Sequence, residues 1–165
     1  MAFRTIMAAF ALAAFALAAG LATAGAALAQ DAAATPGGKA VLARQAHYKE
    51  LGKAFGGLNG ELRKDAPDKA VISADATTVK TLADGLPTWF PKGSGPEAGV
   101  KTAAKPEIWT DAAGFAGAVA KLQGETARLQ EVSMAGDLDA IKAQVRATGG
   151  ACKACHDQYR APDQH

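Results

Sequence analysis

Near the C-terminus stands Cys152-Lys153-Ala154-Cys155-His156, and this stretch restricts the chain more than any other. On a helix, residues three and four apart share a face, so two thiols and an imidazole point to one side. Cys-x-x-Cys-His is the attachment sequence of a c-type haem. The two thiols add across the vinyl groups of the porphyrin, and the histidine binds iron from one face. Other readings of the cysteine pair fit less well. A redox dithiol opens a helix after a strand, whereas here a helical pattern precedes the motif. A structural zinc site needs four ligands, and beyond this motif the chain offers only His47 and His165 of these two residue types. A disulfide between helical neighbours has poor geometry.

The rest of the chain reads as helices. Pro36 marks a helix start after a small, polar lead-in from Asp31 to Lys39. Val41, Arg44, Tyr48, Leu51, Phe55, Leu58 and Leu62 then recur at steps of three and four, the stripe of a bundle helix. Arg44 is the one member foreign to a core. A charged turn over Arg63–Lys69 leads to a second helix, roughly Asp75 to Phe90, with Pro87 shortening its last turn. A long glycine- and proline-containing loop runs from Pro91 to Lys105, and a loop of that length crosses the end of a domain or carries function. The third helix is expected to open at Pro106-Glu107 and to bury Ile108, Ala112, Phe115, Val119, Leu122, Thr126 and Leu129. After a turn at Ala135-Gly136, Asp137 caps a fourth helix whose stripe is Leu138, Ile141, Val145, Thr148, Cys152, Cys155 and Tyr159. Both cysteines therefore fall on the buried seam. Gly149 and Gly150 either allow close approach to the porphyrin or merely loosen the helix. The fold class is all-α: an antiparallel up-down-up-down four-helix bundle with covalently bound haem in the core.

The first 29 residues are expected to form a cleaved signal peptide, leaving residues 30–165 as the domain. A positive start with Arg4, an apolar run from Ile6 to Leu28 and Ala27-Leu28-Ala29 as a cleavage site give that reading. An uncleaved anchor is the alternative. Gly20, Gly25 and the cleavage site argue against it, and no second apolar run is long enough to span a bilayer. Removing Arg4 lowers the formal charge from +2 to +1, which excludes nucleic acid or an acidic membrane surface as an evident partner. In an oxidising compartment a cysteine pair normally becomes a disulfide; thioethers to haem resolve that expectation.

In the expected topology the end of helix four lies level with Tyr48, Trp89, Phe90, Trp109 and Phe115. Together with Tyr159 they supply flat apolar walls for a porphyrin. Arg44 on the seam suits a haem propionate, the alternative being a side chain that snorkels to the surface. For the far side of the iron, Met134 lies 18 residues before Cys152. That is roughly 27 Å along a helix, too far to ligate. His165 stands in a frayed tail. His47 is at the right height but about 100° round the helix from the stripe, where Tyr48 holds the inward position. Five-coordinate iron behind an apolar distal wall is the expectation, with His47 ligation the rival.

These residues resemble the cytochrome c′ family. Cys152 to Arg160 is similar to its haem segment, Lys105-Pro106-Glu107-Ile108-Trp109 to its third-helix opening, and Phe90-Pro91-Lys92-Gly93-Ser94 to its loop after helix two. Arg44 matches the family's first-helix arginine and Tyr48 its distal-pocket residue. Low-spin relatives carry a methionine ligand in the first helix, and none stands here. The resemblance implies a periplasmic, usually homodimeric protein with one high-spin haem c. It also implies binding of the diatomic gases nitric oxide and carbon monoxide, and a role in nitric oxide tolerance. It further implies that Arg160 lies on the proximal side of the haem, a turn past His156, where a helix C-terminal cation is also favourable to the dipole. A periplasmic electron-transfer cytochrome is the alternative function, with Lys92, Lys101 and Lys105 facing an acidic partner or simply solvated. An enzyme is not expected: no distal histidine–arginine pair for peroxide cleavage is evident, and haem would consume the thiols.

Overall fold

The computed structural model describes residues 31–162; the expected signal peptide (1–29) and His165 lie outside them. Helical backbone at residues 31–34 leads into α1, Pro36–Glu61, with Pro36 in its first turn and the Thr35 side chain capping the Gly38 amide. Helix α2 spans Lys69–Gly85 and is followed by a 3₁₀ turn at Leu86–Thr88. A short α3, Glu107–Thr110, precedes the long α4, Ala112–Ala135, and α5 covers Leu138–Tyr159. This is the expected all-α bundle. Among the described residues no helix is long and apolar enough to cross a membrane.

Aspartates decide where the helices begin. Asp68 accepts hydrogen bonds from the Ala70 and Val71 amides, and Asp137 from those of Asp139 and Ala140. Gly136 ends α4 at φ 77°, a left-handed conformation that suits glycine, and its N–H donates to Val132 O at 3.1 Å. Two boundaries differ from the sequence reading. Helix α2 starts six residues earlier, at Lys69 rather than Asp75. The Asp68 cap and the Glu61 carboxylate, which accepts the Asp68 amide at 2.8 Å, fix that start. The third helix is broken at Asp111, whose carboxylate accepts the Gly114 amide at 3.1 Å and so starts a new helix. Ala112, expected inside, is consequently exposed.

Two apolar clusters stack along the bundle. Away from the cysteines, Leu58, Ile72, Val79, Leu129, Ile141 and Val145 close tightly. At the cysteine end, Leu86, Trp89, Val119, Leu122 and Ala151 are joined by Tyr48, Phe90, Phe115 and Cys152. Helix α2 packs on α1 and α4, and α4 on α5. Truncating Ile141, fully buried in the first cluster, to alanine should cost about 3 kcal/mol of stability. Urea unfolding of the holoprotein checks this, and covalent haem content should not change.

Candidate haem site

A cavity of about 440 Å³ opens at the cysteine end, the size of a cofactor pocket. Helix α5 supplies Cys152, Cys155, His156 and Tyr159 to it, and α1 supplies Arg44, Tyr48 and Leu51. Leu86, Phe90, Ile108, Phe115 and Leu122 complete an apolar lining. The structure thus brings Cys152, Cys155, His156, Arg44, Tyr48 and Arg160 to one cavity. Trp89 and Trp109 stand behind the lining: Trp89 meets Tyr48 edge-on at 5.1 Å, and Trp109 meets Phe90 at 6.0 Å. Phe55 packs in the other cluster.

Burial raises the pKa of both thiols, and for Cys155 the neighbouring Cys152 adds to it. They lack the depressed pKa of a reactive dithiol. Desolvation and then the charge of Arg160 lower the pKa of His156, which keeps the imidazole neutral and its lone pair available to a metal. Among the described residues no cluster of three or more His, Cys, Asp or Glu side chains forms a metal site.

Arg44 is buried to 2 % exposure. Its guanidinium donates to Ser94 Oγ at 3.0 Å and to Thr102 Oγ1 at 2.8 Å. It also lies 5.0 Å over the Phe90 ring and 5.9 Å over that of Trp109. Desolvation lowers its pKa, yet a guanidinium stays charged. Among the described residues no carboxylate comes within ion-pair distance of it. An apolar slot with two thiols, a neutral imidazole and a buried cation fits a haem c: thiols for the vinyl groups, and a guanidinium for a propionate.

Ser94 and Thr102 belong to the long loop, which crosses the bundle end as a strap. Gln45 Nε2 donates to Lys101 O at 2.8 Å on the α1 side. On the α5 side, the Lys105 amide donates to Tyr159 O at 3.0 Å and the Ala161 amide to Ala103 O at 2.8 Å. The Lys105 ammonium donates to Asp157 O at 3.2 Å, so this lysine helps fasten the strap. Thr102, Ala103 and Ala104 line the cavity. Sequence reasoning assigned them no place there; the length of the loop was the one signal.

The two α1 candidates separate clearly. Tyr48 lines the cavity, and burial raises its pKa well above the ordinary phenol range. His47 does not line it; its ring stacks on Trp89 with centroids 4.8 Å apart. Met134 is 72 % exposed. Neither Gly149 nor Gly150 lines the cavity; the nearest atom to a Cβ on Gly149 is Phe55 Cζ, at 3.9 Å. Tyr159 is 4 % exposed, and its hydroxyl donates to Asp111 Oδ2 at 2.8 Å. That hydrogen bond, ahead of burial, pushes its pKa up to about 12.

A family model described as Cytochrome C′ matches residues 39–160. A cytochrome c′ of Rubrivivax gelatinosus is 36 % identical over 124 residues, covering 74 % of this chain and 95 % of the relative. A nitric oxide complex of a variant of cytochrome c prime from Alcaligenes xylosoxidans superposes with a TM-score of 0.69 at 34 % identity, covering 77 % of this chain and 97 % of the other. A carbon monoxide complex of a further variant of that protein gives 0.69 at 35 %, covering 78 % and 98 %. A cytochrome c′ described as having ligand-controlled dimer dissociation gives 0.71 at 27 %, covering 78 % and 98 %. Sequence, fold and the cysteine-bearing cavity agree: the chain belongs to the cytochrome c′ family, and its cofactor is a haem c attached through Cys152 and Cys155.

Proposed function

We propose that this chain is a periplasmic haem c protein with five-coordinate, high-spin iron that binds nitric oxide and carbon monoxide and serves nitric oxide tolerance. The observation that carries the reading is the composition of the cavity wall. Among the described residues His156 is the only histidine or methionine in the lining, and Tyr48 of α1 and Phe90, just before the strap, occupy the facing wall. His47, the rival ligand, is stacked on Trp89 instead. The nitric oxide and carbon monoxide complexes formed by structurally similar proteins support the same reading.

When bound, the haem would supply an iron able to take up a small ligand. The side chains do the rest. Cys152 and Cys155 tether the porphyrin, so the cofactor is not lost by dilution, and His156 offers its neutral nitrogen to the iron. Arg44 holds a propionate while gripping the strap through Ser94 and Thr102. Arg160, beside His156 in the lining, adjusts the basicity of the imidazole through its charge. Tyr48 and Phe90 keep bulky ligands out. The function proposed for the open iron position is capture of a diatomic gas.

Export by the leader over residues 1–29 would place the protein in the periplasm. A homodimer is the proposed assembly, supported by the dimer of the relative described above.

Anaerobic titration of the ferrous holoprotein with nitric oxide tests the function. A saturable change in the visible haem spectrum is expected, and an unchanged spectrum would sink the proposal. Tyr48→Ala should raise the gas association rate roughly tenfold, the factor that about 1.4 kcal/mol of steric barrier makes in a rate. Stopped-flow mixing with carbon monoxide measures it.

A further inference from the structure

Two tyrosines line the cavity, and their hydroxyls differ. Tyr48 packs edge-on against Trp89, and its hydroxyl makes no hydrogen bond among the described residues. Tyr159 donates to Asp111 Oδ2 at 2.8 Å. The acceptor is held in place: Asp111 Oδ1 takes the Gly114 amide at 3.1 Å, leaving Oδ2 for the phenol. The Tyr159 ring is fixed against Phe115, centroids 5.3 Å apart. Helix α5 puts Tyr159 three and four residues past His156 and Cys155, on the same face. Asp111 itself is exposed.

This pairing has a chemical consequence. A phenol gives up an electron easily only if its proton leaves with it, because a phenol radical cation in an apolar site is costly. A carboxylate at hydrogen-bond distance accepts that proton without any movement of heavy atoms. Asp111 has this position, and its exposure lets the proton pass on to solvent. Tyr48 has no such acceptor.

We propose that Tyr159, with Asp111 as its proton acceptor, is a one-electron donor that returns an oxidising equivalent left on the haem by hydrogen peroxide. The inference rests on the open iron position proposed above. In the step, the Tyr159 O–H bond breaks, the electron passes to the oxidised haem, the proton moves to Asp111 Oδ2, and a neutral phenoxyl radical remains. A one-electron reductant such as ascorbate then returns the electron, and Asp111 returns the proton. Over a full cycle two molecules of reductant and two protons convert one hydrogen peroxide to two waters. The residue guards the haem and its pocket against oxidative damage.

The test is rapid-freeze electron paramagnetic resonance of the ferric holoprotein mixed with hydrogen peroxide. A tyrosyl radical is expected in the unaltered protein and absent in Tyr159→Phe. Asp111→Asn keeps the phenol but should slow radical formation roughly a hundredfold, the lower end of what a positioned base supplies, and lower the yield accordingly. A radical that survives in Tyr159→Phe, one that disappears in Tyr48→Phe instead, or no organic radical at all overturns the inference. Nitric oxide binding to the ferrous form of the same preparations separates the two failures. Without it the open-iron reading fails and this inference with it; with it and no Tyr159 radical, this inference alone fails.

Discussion

Replacing Cys152 and Cys155 together by alanine should abolish covalent haem. Acid–acetone extraction of the variant, expressed in a host able to attach haem c, should strip the pigment completely, whereas the unaltered protein keeps it. The two thiols lie three residues apart on α5 and open into the same cavity. Their raised pKa values keep them as thiols rather than as a reactive pair that oxidises elsewhere. Each single variant should retain one thioether and so resist extraction. If the double variant kept its colour through extraction, the attachment chemistry would lie at another residue.

Replacing Arg44 by alanine should be the most destabilising change that leaves the attachment motif intact. The guanidinium is almost fully buried and ties α1 to Ser94 and Thr102 while covering Phe90. In the holoprotein its loss would also strand the propionate that Arg44 is proposed to hold. Removing one partner of a buried ion pair costs about 3–5 kcal/mol. Thermal unfolding should fall by roughly 10 °C for a domain of this size. Arg44→Lys should recover only part, since an ammonium lacks the fork that reaches two hydroxyls at once. A loss below about 1 kcal/mol would place the guanidinium in solvent.

Features with local causes were legible in the sequence. The Pro36 start, the Gly136 end and the Asp137 cap are each fixed within four residues of themselves. The α5 stripe carried both cysteines to the seam, and the aromatics named with it do line or back the cavity. What escaped depends on partners distant in the chain. Asp111 was not singled out, because Pro106 and Glu107 already open the expected third helix; the tyrosine that holds it is 48 residues away. The hydroxyls that grip Arg44 lie 50 and 58 residues from it, so the stripe marked an arginine on the seam but not the strap it holds. Lys105 read as a loop charge and is a fastener for the same reason. His47 was a credible ligand by height alone; in the structure its ring stacks on Trp89, which caps the 3₁₀ turn after α2.

Five-coordinate iron requires that Tyr48, rather than a ligand, face it. The most direct measurement is the electron paramagnetic resonance spectrum of the ferric holoprotein as purified. A high-spin signal, unchanged by His47→Ala, is the expected result. A low-spin signal that turns high-spin in His47→Ala would contradict it, because His47 would then leave Trp89 to bind the iron, and the protein would be an electron carrier.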